Sequence, residues 1–197
     1  MMKKIVLASA SPRRKELLEQ IGLRFEVDPT DHDEVRTTAL GPHATARRIS
    51  LGKAKTAARK HCDALIIAAD TLVVLGDRVF GKPRTISQAR EMLRALSGRV
   101  HSVVTGFTVL DAGTGKAISR SVETKVWMKK LTMEQIDAYV RTKEPLGKAG
   151  GYAIQGRGAV LVDRIEGDYS NVVGLPLSAV AEALREFGVS VLRDRGE

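Results

Sequence analysis

The chain has one cysteine, Cys62, so it cannot close an intrachain disulfide or build a multi-cysteine metal site. Aromatic residues are only 4% of the sequence, so its core must be made from Ala, Val, Leu and Ile. Scarce aromatics also argue against a single-strand nucleic-acid binder, which stacks bases on such rings. No apolar run approaches the ~18 residues of a membrane span. The start, "MMKKIVLASASPRR", has an apolar part of only Ile5 to Ala8 before Arg13 and Arg14, too short for the ~7–15-residue core of a secretion signal. A cytoplasmic protein without membrane contact is the plain reading. Two common glycine-rich phosphate cradles are missing as well, since neither GxxxxGKS/T nor GxGxxG occurs.

What is present is a soluble composition, 43% hydrophobic and 28% charged over 197 residues, suited to one domain or two closely joined lobes. The net charge of +9 fits a polyanionic partner or a generally basic surface. The cations are dispersed and no Lys/Arg run reaches five, so charge alone does not favour a nucleic-acid module.

Pattern along the chain predicts a strand at 3–8, a helix at 12–21 stopped by Gly22, and a short strand from Leu23 to Val27. A polar loop from Pro29 to Gly41 carries Asp31, His32, Asp33 and Glu34. A helix follows from Ala44 to Lys60. An apolar strand at 64–69 then runs into Asp70 and Thr71; a second apolar stretch, 72–75, follows, with a return through Arg78–Phe80 after a Gly76-Asp77 turn. Thr85 with Gln88, and Thr132 with Gln135, read as capping boxes opening two helices. Val100–Asp111 and Ala117–Lys129 read as a long hairpin, 143–158 as a glycine-rich loop, Ala159–Ile165 as a strand and Leu177–Phe187 as the last helix. Strands and helices mix without strict alternation, which implies a mixed sheet flanked by helices.

Four stretches carry chemistry. "SASPRRK" (9–15) places Ser11 as N-cap and Pro12 at the first helical position, then sets Arg13, Arg14 and Lys15 at the positive end of a helix dipole. A cation there costs ~0.3–1 kcal/mol, which a bound phosphate would offset; a solvated surface helix is the other reading. "AADT" (68–71) puts Asp70 at the end of an apolar strand, where it could hold a divalent cation, act as a base, or simply begin a turn. "GKP" (81–83) holds Lys82 extended before a proline, as a point charge for phosphate or an ordinary turn lysine. "EPLGKAGGYAIQGRGA" (144–159) is a ligand-approaching or merely flexible loop, in which Gln155 offers a donor and an acceptor suited to a base edge. Lys53, Glu34 and His32 are weaker candidates in isolation.

Taken together, "LASASPRRKELL" (7–18), Glu34, "GKA" (52–54), "AADT", "GKPRT" (81–85), "LSG" (96–98), "EPLGKAGGYAIQG" (144–156) and "VVGLPL" (172–177) make the whole chain resemble the Maf family of nucleoside triphosphate pyrophosphatases. The resemblance implies a single Maf-like domain over 1–197: an α/β fold with a mixed, elongated central sheet flanked by helices, its two lobes around a deep nucleotide-binding cleft. It implies hydrolysis to a monophosphate and pyrophosphate with Mg²⁺ or Mn²⁺, and a homodimer at family level. Such activity would keep non-standard nucleotides from incorporation. Arg13, Thr71 and Gln155 together resemble the branch acting on dTTP and UTP. Carried onto this chain, Asp70 is the expected catalytic base and metal ligand, and Glu34 a second ligand. Ser9, Ser11, Arg13, Arg14, Lys53, Thr71, Lys82 and Gln155 are expected to bind substrate. Gly147 stands where relatives commonly have Asp, and Ala68 where Gly is frequent. The competing class is a non-enzymatic division-arrest or septation regulator, which would need cations but not Asp70 and Glu34 beside them. A pyrophosphatase for another base is the closer alternative.

Overall fold

The computed structural model describes residues 3–30 and 40–192. In chain order these form β1 (Lys4–Leu7), α1 (Pro12–Gln20), β2 (Glu26–Val27), α2 (Gly41–Ala58), β3 (Ala64–Leu75), β4 (Arg78–Phe80), α3 (Ile86–Leu96), β5 (Val100–Asp111), β6 (Ala117–Met128), α4 (Met133–Arg141), β7 (Val162–Glu166), α5 (Tyr169–Val173) and α6 (Leu177–Arg185), with 3₁₀ turns at Ala149–Gly151 and Gly156–Leu161. The 7-stranded sheet has the order β2-β1-β3-β5-β6-β7, with β4 pairing β3. β1 is parallel to β2 and β3, whereas β4 is antiparallel to β3 and β7 to β6. The sheet is therefore mixed, as the irregular alternation of elements requires. Among the described residues no helix is long and apolar enough to cross a membrane.

Two compact units partition the chain. One comprises Met1–Asp70, Thr105–Val122 and Gly174–Glu197, the other Thr71–Val104 and Glu123–Val173. In the first, Val6, Ala8, Ala54, Ala57, Ala64, Ile66, Ala68 and Leu110 form a core of small residues. Small size lets α2 approach β5 backbone to backbone. A Cβ built on Gly106 would stand 2.3 Å from the carbonyl carbon of Ala46, so only glycine fits. Ser50 and Thr108, both buried, bond across this approach at 2.9 Å and satisfy hydroxyls that would otherwise be costly inside.

In the second unit the core is larger-grained: Val73, Phe80, Leu93, Leu96, Val126, Ile136, Tyr139 and Tyr152 are among its members. Thr85 caps α3 by accepting from the Gln88 amide. Thr132 and Gln135 close a reciprocal capping box at α4. Gly150, at φ +73, leaves a Cβ position only 3.0 Å from Val73 Cγ1, so the glycine-rich loop lies directly on β3.

Three local expectations change. The apolar stretches 64–69 and 72–75 are not separated at Asp70 but form one strand, β3, to Leu75, with the return at Arg78–Phe80 pairing its last residues as β4. Residues 159–161 are not strand but the end of a 3₁₀ turn, since the chain is still inside the glycine-rich segment that Gly156, at φ +64, bends; β7 starts at Val162. The second strand shrinks to Glu26–Val27, opposite the C-terminal residues of β1. The short α5 has no counterpart in the pattern reading.

His101 on β5 is 3% exposed and its Nε2 lies 2.7 Å from the Tyr152 hydroxyl, while Nδ1 has no partner. Burial pushes its pKa down from 6.5 to about 4. A buried neutral histidine with a lowered pKa leaves the unfolded chain as the stronger proton binder, so the stabilisation is complete above the unfolded value and is lost as pH falls towards 4. Denaturant unfolding should show a loss approaching roughly 3 kcal/mol from this group between pH 6.5 and 4. The variant His101→Gln should lose less over that window; an identical pH slope would contradict the assignment.

Candidate active site

The site in the first unit starts from β1. Its buried residues Val6 and Leu7 end at a loop, and Ser11, with φ −75° and ψ 114°, opens α1 with Pro12 behind it. Ser11 occupies the N-cap position, but its side chain does not cap the helix. The first turn of α1 itself contains no acidic residue. Arg14 instead reaches three oxygens: Nη1 donates to Ser9 Oγ at 3.1 Å and to Ala69 O at 2.8 Å, and Nε donates to Gly174 O at 2.8 Å. Ser9 is buried and also accepts from the Ser11 amide at 3.3 Å. The SASPRR segment is thereby tied to the residue before Asp70 and to the VVGLPL segment, for which the pattern reading had no role. Arg13, half-buried, follows Pro12 on the same turn.

β1 pairs with β3 at 64–67 and β4 pairs with it at 73–75, so Asp70 lies in the stretch between these two ladders. Asp70 is 5% exposed. Its Oδ1 accepts from Lys53 Nζ, on α2, at 2.9 Å; the carboxylate is buried and the lysine half-buried. Oδ2 is buried and has no partner among the described residues. An unsatisfied buried acceptor costs ~1–3 kcal/mol or more when charged, so this second oxygen is a candidate to meet a ligand. The pairing of Lys53 with Asp70 gives Lys53 a definite place that helix spacing alone did not single out.

The remaining candidates belong to the second unit. Thr71 follows Asp70 on β3 and is half-buried. Lys82 is exposed in the turn after β4, where Arg78, Phe80, Gly81, Lys82, Arg84 and Gln88 line much of a cavity of about 410 Å³. Gly81 O accepts from the Gly150 amide at 3.0 Å, which joins the "GKP" turn to the glycine-rich loop. Gln155 precedes the second 3₁₀ turn and is half-buried. Gly147 has φ +74 with open space where a Cβ would stand. Glu34 and His32, with Asp31 and Asp33, lie outside the described residues.

Glu144 is the residue that sequence reading missed in this loop. It accepts from Tyr139 Oη at 2.9 Å, from the Arg157 amide at 3.1 Å and from the Gly158 amide at 3.0 Å. Burial alone would raise its pKa, but the Gly158 and Arg157 amides, the Tyr139 hydroxyl and the Lys148 charge outweigh burial and lower it. Its signal was present, an acid immediately before a proline and a glycine run, but nothing in the spacing says which amides it meets.

For a divalent cation, the test is Asp70 Oδ2. A buried, unpartnered carboxylate oxygen fits a hard cation, and Mg²⁺ typically takes only one or two carboxylates, the rest being water and substrate phosphate oxygens. Among the described residues no cluster of three or more His, Cys, Asp or Glu could hold a metal by itself. Asp70 Oδ2 therefore fits one oxygen in the shell of such a cation.

A buried carboxylate paired with a lysine, and a helix start bearing cations, are features that suit a phosphate ligand. The chain belongs to the family of Maf-like proteins, whose model matches residues 4–187. It is 51% identical over 191 residues to the dTTP/UTP pyrophosphatase of Methanosarcina mazei, covering 96% of this chain and 97% of that one. It is also 52% identical over 190 residues to the dTTP/UTP pyrophosphatase of Moorella thermoacetica, covering 96% and 98%. The relative of that name from Desulforamulus reducens is 46% identical over 97% of this chain and 100% of its own.

The Lys53–Asp70 pair gives the first test of this site. Lys53→Met leaves a buried charge without its partner and should destabilise the protein by ~3–5 kcal/mol, whereas Lys53→Met with Asp70→Asn should cost clearly less than the two single losses summed. Urea unfolding of the four proteins reads the coupling; additive losses would remove the ion pair from the account.

Proposed function

We propose that this protein hydrolyses dTTP and UTP to the monophosphate and pyrophosphate. The observation that carries the reading is Asp70: a buried carboxylate with one oxygen fixed by Lys53 and the other unpartnered, in a chain about half identical over its whole length to relatives named for this activity. In the reaction, a water oxygen bonds to the α-phosphorus. The bond from that phosphorus to the α,β-bridging oxygen breaks, and pyrophosphate leaves with the electron pair.

The chain's own residues then have distinct duties. Asp70 Oδ2 holds a divalent cation or takes the proton of the attacking water, with Glu34 as a second carboxylate. Lys53 keeps the Asp70 carboxylate oriented and its charge compensated. Arg13 and Lys82 meet the triphosphate, and Ser9, Ser11 and the first amides of α1 add neutral donors. Arg14 already holds Ser9 and the Ala69 carbonyl, so its part is to set the helix start in place as well as to add positive charge. Thr71 and Gln155 contact the nucleoside, Gln155 matching the alternating acceptors and donor of a uracil or thymine edge. The cation, when bound, neutralises phosphate oxygens as charge moves onto pyrophosphate; positioning and electrostatics supply most of the rate in such transfers. The basic balance of the chain suits the polyanionic substrate, and a regulator that only binds would have no use for a buried acid paired with Lys53.

Product analysis tests the reaction. With Mg²⁺, dTTP and UTP should give monophosphate and pyrophosphate, purine triphosphates little, and chelation none. Asp70→Asn should lose at least ~100-fold in kcat while folding normally. Diphosphate with free phosphate, or near-normal turnover in that variant, would contradict the mechanism. Gln155→Glu should lower kcat/KM for UTP by about tenfold or more, because a carboxylate cannot donate to a base carbonyl; unchanged kinetics across a nucleotide panel would remove Gln155 from recognition.

A further inference from the structure

The loop that carries Gln155 is held by two side chains to which the chemistry assigns no duty. Tyr139, on the buried face of α4, accepts from the Ala153 amide at 3.1 Å and donates to Glu144 Oε1 at 2.9 Å. Glu144 in turn accepts from the amides of Arg157 and Gly158. The backbone is therefore pinned two residues before Gln155 and again two and three residues after it, through one hydroxyl and one carboxylate in contact with each other.

The glycines show how closely the loop is fitted to this pair. A Cβ on Gly156 would come 2.9 Å from Glu144 Oε2, at a φ of +64 that other residues rarely adopt. A Cβ on Gly158 would come 2.2 Å from Ala153 O and 2.6 Å from Tyr139 Oη. Both positions exclude a side chain because the Tyr139–Glu144 pair and the loop backbone fill the space. Glu144 is itself fixed: its amide bonds to Thr142 Oγ1 at 3.1 Å, and Lys148 Nζ donates to its carbonyl at 2.5 Å. Charge-assisted bonds from amides to a carboxylate are among the stronger ones a loop can have. They serve rigidity here, which recognition of a planar base edge needs, since a shift of about 1 Å at a recognition group can cost on the order of 100-fold.

We infer that Tyr139 and Glu144 are positioning residues for base discrimination: they fix the backbone on both sides of Gln155 and so set which nucleobase edge its amide meets. The inference rests on the reading of Gln155 given above. Steady-state kinetics with dTTP and dCTP on Tyr139→Phe, Glu144→Gln and Gln155→Ala tests it, together with hydrogen exchange of the Arg157 and Gly158 amides. Tyr139→Phe removes only the hydroxyl and Glu144→Gln keeps the shape, so both should remain folded. Each should lower the ratio of kcat/KM for dTTP over dCTP about fivefold to tenfold, mostly through KM for dTTP, with kcat changed by less than about threefold. The two amides should exchange faster in both variants. If Gln155→Ala lowers the ratio while Tyr139→Phe and Glu144→Gln keep the wild-type ratio, the positioning role is overturned and the Gln155 reading stands. If Gln155→Ala itself leaves the ratio unchanged, both are overturned. A general loss of kcat for both nucleotides with an unchanged ratio would mark the pair as structural support only and would also overturn the inference.

Discussion

A carboxylate buried in the middle of an apolar strand is costly unless something holds it, and the bond from Lys53 Nζ to Asp70 Oδ1 at 2.9 Å is what holds it here. Most of the first unit can be understood as support for that bond. Lys53 must come from a helix lying close to β3, and α2 can lie that close because its inward residues are Ala46, Ala54 and Ala57 and because β5 offers Gly106 opposite Ala46. The chain's shortage of aromatics, a negative feature of its composition, appears here as a core of alanines thin enough to let backbones meet. Arg14 adds a second tie, taking the carbonyl of Ala69 just before Asp70 and linking it to Ser9 and Gly174.

Such a pair is poor value as a source of stability, because desolvating two charges consumes much of their attraction. Under the proposed function its value is reactivity. Lys53 occupies one carboxylate oxygen and leaves the other, Oδ2, buried and unpartnered. That asymmetry is what the proposed catalytic role rests on: Oδ2 would offer a hard oxygen to a cation that arrives with its phosphate substrate. The same division of labour recurs in the second unit, where Glu144 is consumed entirely by local donors and thus serves geometry rather than chemistry.

Much of this was legible in the sequence, and the reasons differ by residue. Helix limits were clear where local chemistry sets them: Pro12 and Gly22 around α1, Thr85 and Thr132 at the caps of α3 and α4. The hairpin of β5 and β6 was clear from two β-rich runs around Gly113 and Gly115. The apolar stretch 72–75 and its return at 78–80 were clear as well, but their continuity with 64–69 was not, because an aspartate between two apolar stretches looks like a strand end. The 3₁₀ turn at 159–161 was hidden because Ala159, Val160 and Leu161 have strand-like composition while Gly156, a few residues earlier, dictates the bend. Asp70, Lys82 and Gln155 each stood out through a local pattern, whereas Lys53 gained its meaning from the fold, and Glu144 and Tyr139 gained theirs from backbone amides that no spacing rule reveals. Glu34 falls outside the described residues, so its pairing with Asp70 rests on the family resemblance.

The claim on which the rest depends is that Asp70 presents a free carboxylate oxygen to a divalent cation alongside the triphosphate. Electron paramagnetic resonance of Mn²⁺ titrated into the protein with a non-hydrolysable α,β-methylene analogue of UTP measures this directly, comparing wild type with Asp70→Asn. The account predicts bound Mn²⁺ in the wild type and a loss of affinity of at least about tenfold in the variant. Equal Mn²⁺ binding by the two proteins would contradict it.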